Sequence, residues 1–231
     1  MASDDPVVGK LIKRTAIWTA VNAALLFVPA GTVNWPQGWI YLFLVSGLGL
    51  ASGLVIARHD PALLQERLGP PVQTEQKGWD KILLSVFFAL WLALYVVAGL
   101  DAVRFRTSEM PLLLEALGAI GIVFGLYVFH IVMEANTFAA PVVKIQTERN
   151  HHVISTGPYA RVRHPMYGGA IALILGTGLL LGSWCAVGLG IVLILMLAIR
   201  AVLEEETLKR ELDGYADYAA RVRYRLVPGV W

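Results

Sequence analysis

The residues best equipped for chemistry lie in one run, His151-His152-Val153-Ile154-Ser155-Thr156-Gly157-Pro158-Tyr159-Ala160-Arg161-Val162-Arg163-His164-Pro165-Met166-Tyr167. His151, His152 and His164 can ligate, donate hydrogen bonds or carry protons. Tyr159 and Tyr167 offer ring faces and hydroxyls, and Arg163 offers a planar fork for a carboxylate or phosphate. Farther along, Arg200 offers a second fork, and Glu204, Glu205 and Glu206 offer carboxylates. Arg200 and Glu204 are four apart and so share a helix face, but arginine before glutamate is the weaker order for a helix-stabilising pair. That order favours a functional role; the bland alternative is a snorkelling arginine followed by a solvated acidic run.

Other chemistries fail on spacing. His151 and His152 are adjacent and do not naturally face one metal, no HExxH-type spacing occurs, and the one cysteine, Cys185, excludes a cysteine-based zinc site. Ser155 has histidines nearby but no GxSxG turn. No glycine-rich loop follows a strand, which argues against a Rossmann-type nucleotide site. A net charge of +2 gives no basic field for nucleic acid.

The elements that must position these residues are membrane helices. The chain of 231 residues is 57% hydrophobic and only 16% charged, too apolar for an ordinary soluble domain. Each span needs roughly 20 mostly apolar residues. The expected spans are 15–33, 39–57, 82–100 and 112–135, then a hairpin of 168–181 and 185–199 around Gly182-Ser183-Trp184, its first arm short enough to be tilted or only partly spanning. Its second arm runs on into water as one helix to about Leu212, because no proline or glycine stops it. The segment Pro61 to Leu68 reads either as an amphipathic helix on the membrane surface, with Leu63, Leu64 and Leu68 on one face, or as a solvated loop ended by Pro70-Pro71. His130 and Glu134 share a face of the fourth span, where a polar pair facing other helices is the plain reading. Ahead of the first span, the acidic start Met1 to Asp5 and the cations Lys10, Lys13 and Arg14 loosely resemble a signal peptide; lacking a small-x-small site, the segment reads as an uncleaved first helix.

Lysine and arginine set orientation. Three precede the first span, four lie between the second and third, four lie in the long loop and six follow from Arg200, while only Arg104 and Arg106 face the other way. The expected fold is therefore all-α, a polytopic integral membrane protein of about six transmembrane helices. It has a C-terminal helical hairpin, a loop and tail in the cytosol, and both termini there. With no internal repeat or low-complexity linker, 1–231 reads as a single membrane domain, with an N-terminal hairpin over 1–57 and a catalytic core over 136–231.

The run His151 to Tyr167, with Gly157-Pro158-Tyr159 and Arg163-His164-Pro165-Met166-Tyr167, resembles the signature of the isoprenylcysteine carboxyl methyltransferase family, membrane enzymes related to phospholipid methyltransferases. The segment from Glu204-Glu205 through Leu208, Tyr215, Tyr218 and Arg221 to Gly229 resembles its bacterial members, which implies a bacterial inner membrane. The resemblance implies S-adenosyl-L-methionine as cofactor, held by His151, His152, Val153, Ile154, Gly157, Tyr159, His164, Pro165, Met166, Tyr167, Glu204 and Glu205. Lys144 or Gln146 would supply the family's upstream contact. It also implies that Arg200 contacts substrate and that Arg200, Arg163 and Glu204 serve catalysis.

A membrane setting makes the bilayer and a lipophilic or lipid-modified acceptor the expected partners. An acceptor carboxylate, already ionised near neutrality, would need no general base, only alignment. Other readings are an amine, phospholipid or thiol acceptor on the same fold, a nicotinamide-dependent sterol-type reductase, and a non-catalytic transport or scaffold protein.

Overall fold

The computed structural model describes residues 6–69, 73 and 76–231. Met1 to Asp5 and the Pro70-Pro71 pair lie outside the described residues. The elements are α1 (Pro6–Ala30), α2 (Pro36–His59), α3 (Pro61–Arg67), α4 (Gly78–Ala98, continued by a π-helical turn Gly99–Arg104), α5 (Leu112–Ala135), α6 (Pro165–Leu180), α7 (Trp184–Glu211) and α8 (Tyr215–Arg221). Short 3-10 turns lie at Thr147–Arg149 and Gly157–Ala160. Among the described residues there is no named strand, only an isolated parallel bridge between Val162 and Tyr224.

The fold is all-helical and membrane-embedded. Among the described residues five helices, α1, α2, α4 with its π turn, α5 and α7, are long and apolar enough to cross a bilayer. The sixth expected span is the 16-residue α6. At 1.5 Å per residue it reaches roughly 24 Å, short of the roughly 30 Å hydrocarbon core, in keeping with a partly spanning arm.

Local signals explain where the helices begin. Pro36, Pro61 and Pro165 stand in the first turns of α2, α3 and α6, where a missing N–H costs nothing. Asp60 caps α3 by accepting from the Leu63 N–H at 2.9 Å, and Ser183 caps α7 by accepting from Ala186 at 3.0 Å. The segment Pro61 to Leu68 holds an amphipathic helix, α3, rather than a solvated loop, but its apolar face turns to the protein and not to the membrane surface: Leu63, Leu64 and Leu68 are buried with Val7, Leu11, Ile56 and Ala57. The same cluster explains why α1 is already helical at Pro6, well before Thr15, since Val7 and Leu11 give these turns an apolar face.

The tightest packing joins α5 to α6. A Cβ on Gly118 would stand 2.4 Å from the Leu180 nitrogen, and one on Gly125 would stand 2.6 Å from the Gly169 oxygen. Glycine is what lets the two backbones touch. The loop 136–164 leaves one of these clamped helices and returns to the other, so its two ends are fixed side by side. Around this pair a core forms from Leu26, Tyr41, Leu94, Tyr95, Ile122, Ile174 and Leu193, with the Tyr41 and Tyr95 hydroxyls 2.6 Å apart.

Candidate functional site

The loop, α3, the start of α4, the end of α7 and α8 all come to one end of the bundle, where they enclose a cavity of about 360 Å³, within the usual range for small-molecule sites. Leu84, Phe87, Phe129, Ala170 and Leu197 line it from α4, α5, α6 and α7. Each lies deeper along its helix than the polar residues that follow, so one cavity joins an apolar part between helices to a polar part under the loop.

Arg200 anchors the polar part. Its guanidinium is buried and binds Asp80, Nε to Oδ1 at 2.8 Å and Nη2 to Oδ2 at 3.3 Å. Nη2 also donates to the Pro141 carbonyl at 3.0 Å and Nη1 to the Tyr167 hydroxyl at 2.7 Å. Tyr167 in turn donates to Glu204 Oε2 at 2.6 Å. A chain Asp80, Arg200, Tyr167, Glu204 thus crosses from α4 to α7, to α6 and back to α7. Asp80 is fully buried, and its Oδ2 also accepts from Gln76 Nε2 and the Val143 N–H, each at 2.9 Å.

Glu204 and Glu205 part company. Consecutive residues on a helix point about 100° apart, and here only Glu204 reaches the cavity wall. Glu205 is buried behind it, accepting from Arg163 Nε at 2.5 Å and Nη2 at 3.3 Å and from Arg225 Nε at 3.1 Å. Arg163 also donates to the carbonyls of Val222 and Arg223. The backbone N–H groups of Arg163 and His164 donate to Tyr224 and Arg225. This cluster ties loop, α7 and tail together. His164 stacks on Tyr167, its Nε2 3.3 Å from Glu205 and its Nδ1 3.9 Å from Glu204.

The aromatic part of the wall is built on Phe138, against which His151 stacks at 4.5 Å and His152 stands edge-on at 5.0 Å. Burial, with His152 and Arg149 nearby, pulls the His151 pKa below its usual value. Val153, Ile154, Tyr159 and Met166 complete this side. Tyr159 accepts from Asn136 Nδ2 at 2.8 Å, and burial raises its pKa to about 12.

Of the residues expected from sequence, His151, His152, Val153, Ile154, Tyr159, Arg163, His164, Met166, Tyr167, Arg200 and Glu204 line the cavity. Gln146, Gly157, Pro165 and Glu205 stand outside its wall. Gln146 is buried and donates to the Phe138 carbonyl at 2.9 Å; Lys144 is the one of that pair on the wall, 3.1 Å from Glu66. Four wall or anchor residues carry no site role in the sequence: Asp80, Phe138, Arg67 and Tyr215, the last marked there only as part of the C-terminal block. Tyr215 lines the wall with a buried hydroxyl that has no hydrogen-bond partner among the described residues. His130 and Glu134 form a 3.4 Å pair off the wall, with Ser52 Oγ 3.0 Å from His130 Nδ1.

A family model described as phospholipid methyltransferase matches residues 113–213, from α5 through the loop and α6 to just beyond α7. Among curated proteins the chain has no match.

Proposed function

We propose that the chain is a membrane methyltransferase of the superfamily that joins the phospholipid and isoprenylcysteine carboxyl methyltransferases, as the family match over 113–213 supports, and that its cavity binds S-adenosyl-L-methionine and methylates a membrane lipid. One observation carries this: a single cavity has an apolar part between helices and a polar part under the loop.

The residues present fit the cofactor. A sulfonium, an amino-acid end and an adenosine require a carboxylate, hydrogen-bonding groups and ring surfaces together. Glu204, the unsatisfied Tyr215 hydroxyl, Tyr159 and the Phe138 and His151 rings supply them. An unpaired buried hydroxyl is rare in a finished site, and a bound polar ligand would satisfy it. Bound there, the cofactor supplies an electrophilic methyl group. The protein's part is to align the acceptor with that methyl and to keep water out.

The chain's charges favour an amine acceptor. Arg200, the cation linked to Glu204 through Tyr167, is not open to a carboxylate acceptor, because Asp80 already holds it through two nitrogens. Among the described residues, Glu204 has no lysine or arginine within 4.0 Å. A headgroup ammonium would therefore meet an available carboxylate. Glu204, fixed through Tyr167, can hold the proton that the ammonium must release before its lone pair attacks. Arg200 and Asp80 then act by positioning Tyr167. The cavity end of the bundle also carries most of the lysine and arginine, so we place it in the cytosol.

Calorimetric titration of the detergent-solubilised protein with S-adenosylhomocysteine tests the reading. Binding at one site, weakened at least tenfold in Glu204→Ala, is the expected result; no binding by folded wild-type protein would overturn it.

A further inference from the structure

Among the described residues, four lysine and arginine side chains line the cavity, and three have a carboxylate. Lys144 meets Glu66 at 3.1 Å, Arg163 meets Glu205 at 2.5 Å and Arg200 meets Asp80 at 2.8 Å. Arg67 is the exception: among the described residues no carboxylate lies within 4.0 Å of it. Its Nη1 donates to the Ala139 carbonyl at 2.7 Å and approaches Met166 Sδ at 3.8 Å. Among the described residues, one carbonyl and one weak sulfur acceptor leave most of the guanidinium's five N–H donors unanswered.

A cation in such a place is costly unless an anion joins it. Burial accordingly pulls the Arg67 pKa down, with only Tyr159 acting the other way. Nor is the residue a loose surface arm. It ends α3, whose Leu63 and Leu64 are buried and whose start is capped by Asp60, so its fork is presented to the cavity from a fixed base.

We propose that Arg67 binds an oxyanion in this cavity, a carboxylate or phosphate gripped by paired N–H groups. The proposal rests on the methyltransferase reading above, which offers two sources of that chemistry. One is the carboxylate at the amino-acid end of the cofactor; the other is the phosphate of an acceptor lipid. Arg67 thereby makes α3, outside the matched segment, part of the binding site.

Ligand pairs with and without the anion test it on the full chain in phosphate-free detergent buffer. The pairs are S-adenosylhomocysteine against its decarboxylated analogue, and dihexanoyl phosphatidate against dihexanoylglycerol, titrated into wild type, Arg67→Gln and Arg67→Lys. In wild type, one pair should differ by about ten- to a hundredfold, the usual effect of a charged hydrogen bond. Arg67→Gln should bind both members of that pair alike, and Arg67→Lys should keep part of the difference. Discrimination within the nucleoside pair assigns the oxyanion to the cofactor, and within the lipid pair to a lipid phosphate. The proposal is overturned if wild type distinguishes neither pair, or if Arg67→Gln distinguishes them as wild type does. Should wild type bind neither nucleoside, the methyltransferase reading falls, while the lipid pair still decides the role of Arg67.

Discussion

Helix α4 carries a buried aspartate at each end, and the two are satisfied in opposite ways. At the cavity end Asp80 binds the Arg200 guanidinium and two neutral donors. At the far end Asp101 accepts only from neutral groups: the hydroxyls of Thr107, Ser108 and Ser183 and the Cys185 N–H. The Asp101 cluster fastens the π turn to the bend between α6 and α7 and stands outside the cavity wall. Asp80 holds a cation that holds a tyrosine that holds the cavity's open carboxylate. Burial alone therefore does not mark a functional acid; what matters is where its partner leads.

Substitutions can break this contrast. Asp80→Ala should have the largest effect, because it leaves Arg200 buried without its anion. Breaking such a pair costs about 3–5 kcal/mol, and methyl transfer should be lost even from protein that remains folded, read by thermal unfolding beside a transfer assay. Tyr167→Phe removes only the hydroxyl between Arg200 and Glu204. Transfer should fall by about ten- to a hundredfold, the effect of a hydrogen bond to charged groups, with little change in unfolding temperature. Asp101→Ala should do the reverse, costing about 1–3 kcal/mol of stability while the folded protein keeps wild-type transfer and cofactor affinity. Equal loss of transfer from the two aspartate variants would erase the distinction.

The smallest effect concerns pH. Because the folded-state pKa of His151 lies below the usual value, the unfolded chain takes up the proton first as pH falls. Its contribution to stability is therefore complete above about pH 6.5 and declines as the pH drops from there toward the depressed folded value. Unfolding curves across that window should show a shallower loss in His151→Asn than in wild type.

Much of this was legible in the sequence, and the rest fails for definable reasons. The apolar stretch 112–135 has the bounds of α5, the leucine face of 61–68 marks α3, the turn formers Gly182 and Ser183 mark the hairpin, and the lack of breakers marks the long last helix. His151 to Tyr167 stood out by composition, and most of it lines the cavity. Asp80 did not, because it follows Lys77 in the first turn of a helix, where an acid is commonplace. Its partner is 120 residues away, a distance no local pattern spans. Phe138 looks like any apolar-facing aromatic until the fold sets it in the wall, and Tyr215, though part of the C-terminal block, shows its place only once α8 packs beside the cavity. Arg67 reads as the polar face of a surface helix, and only the loop packed over it turns it into a wall of the cavity. Glu205 could have been separated from Glu204 by helical geometry alone, since adjacent positions cannot share one face.

The central claim is that the cavity transfers a methyl group to a membrane lipid, with Glu204 at the point of reaction. Its most direct test is incubation of the reconstituted protein with methyl-labelled S-adenosylmethionine and bilayers containing lipids with amine, carboxylate or neither in the headgroup. Label should enter the amine-bearing lipid with wild-type protein and be lost with Glu204→Ala. Folded wild-type protein that labels no lipid, or a Glu204→Ala variant that labels as well as wild type, would contradict the account.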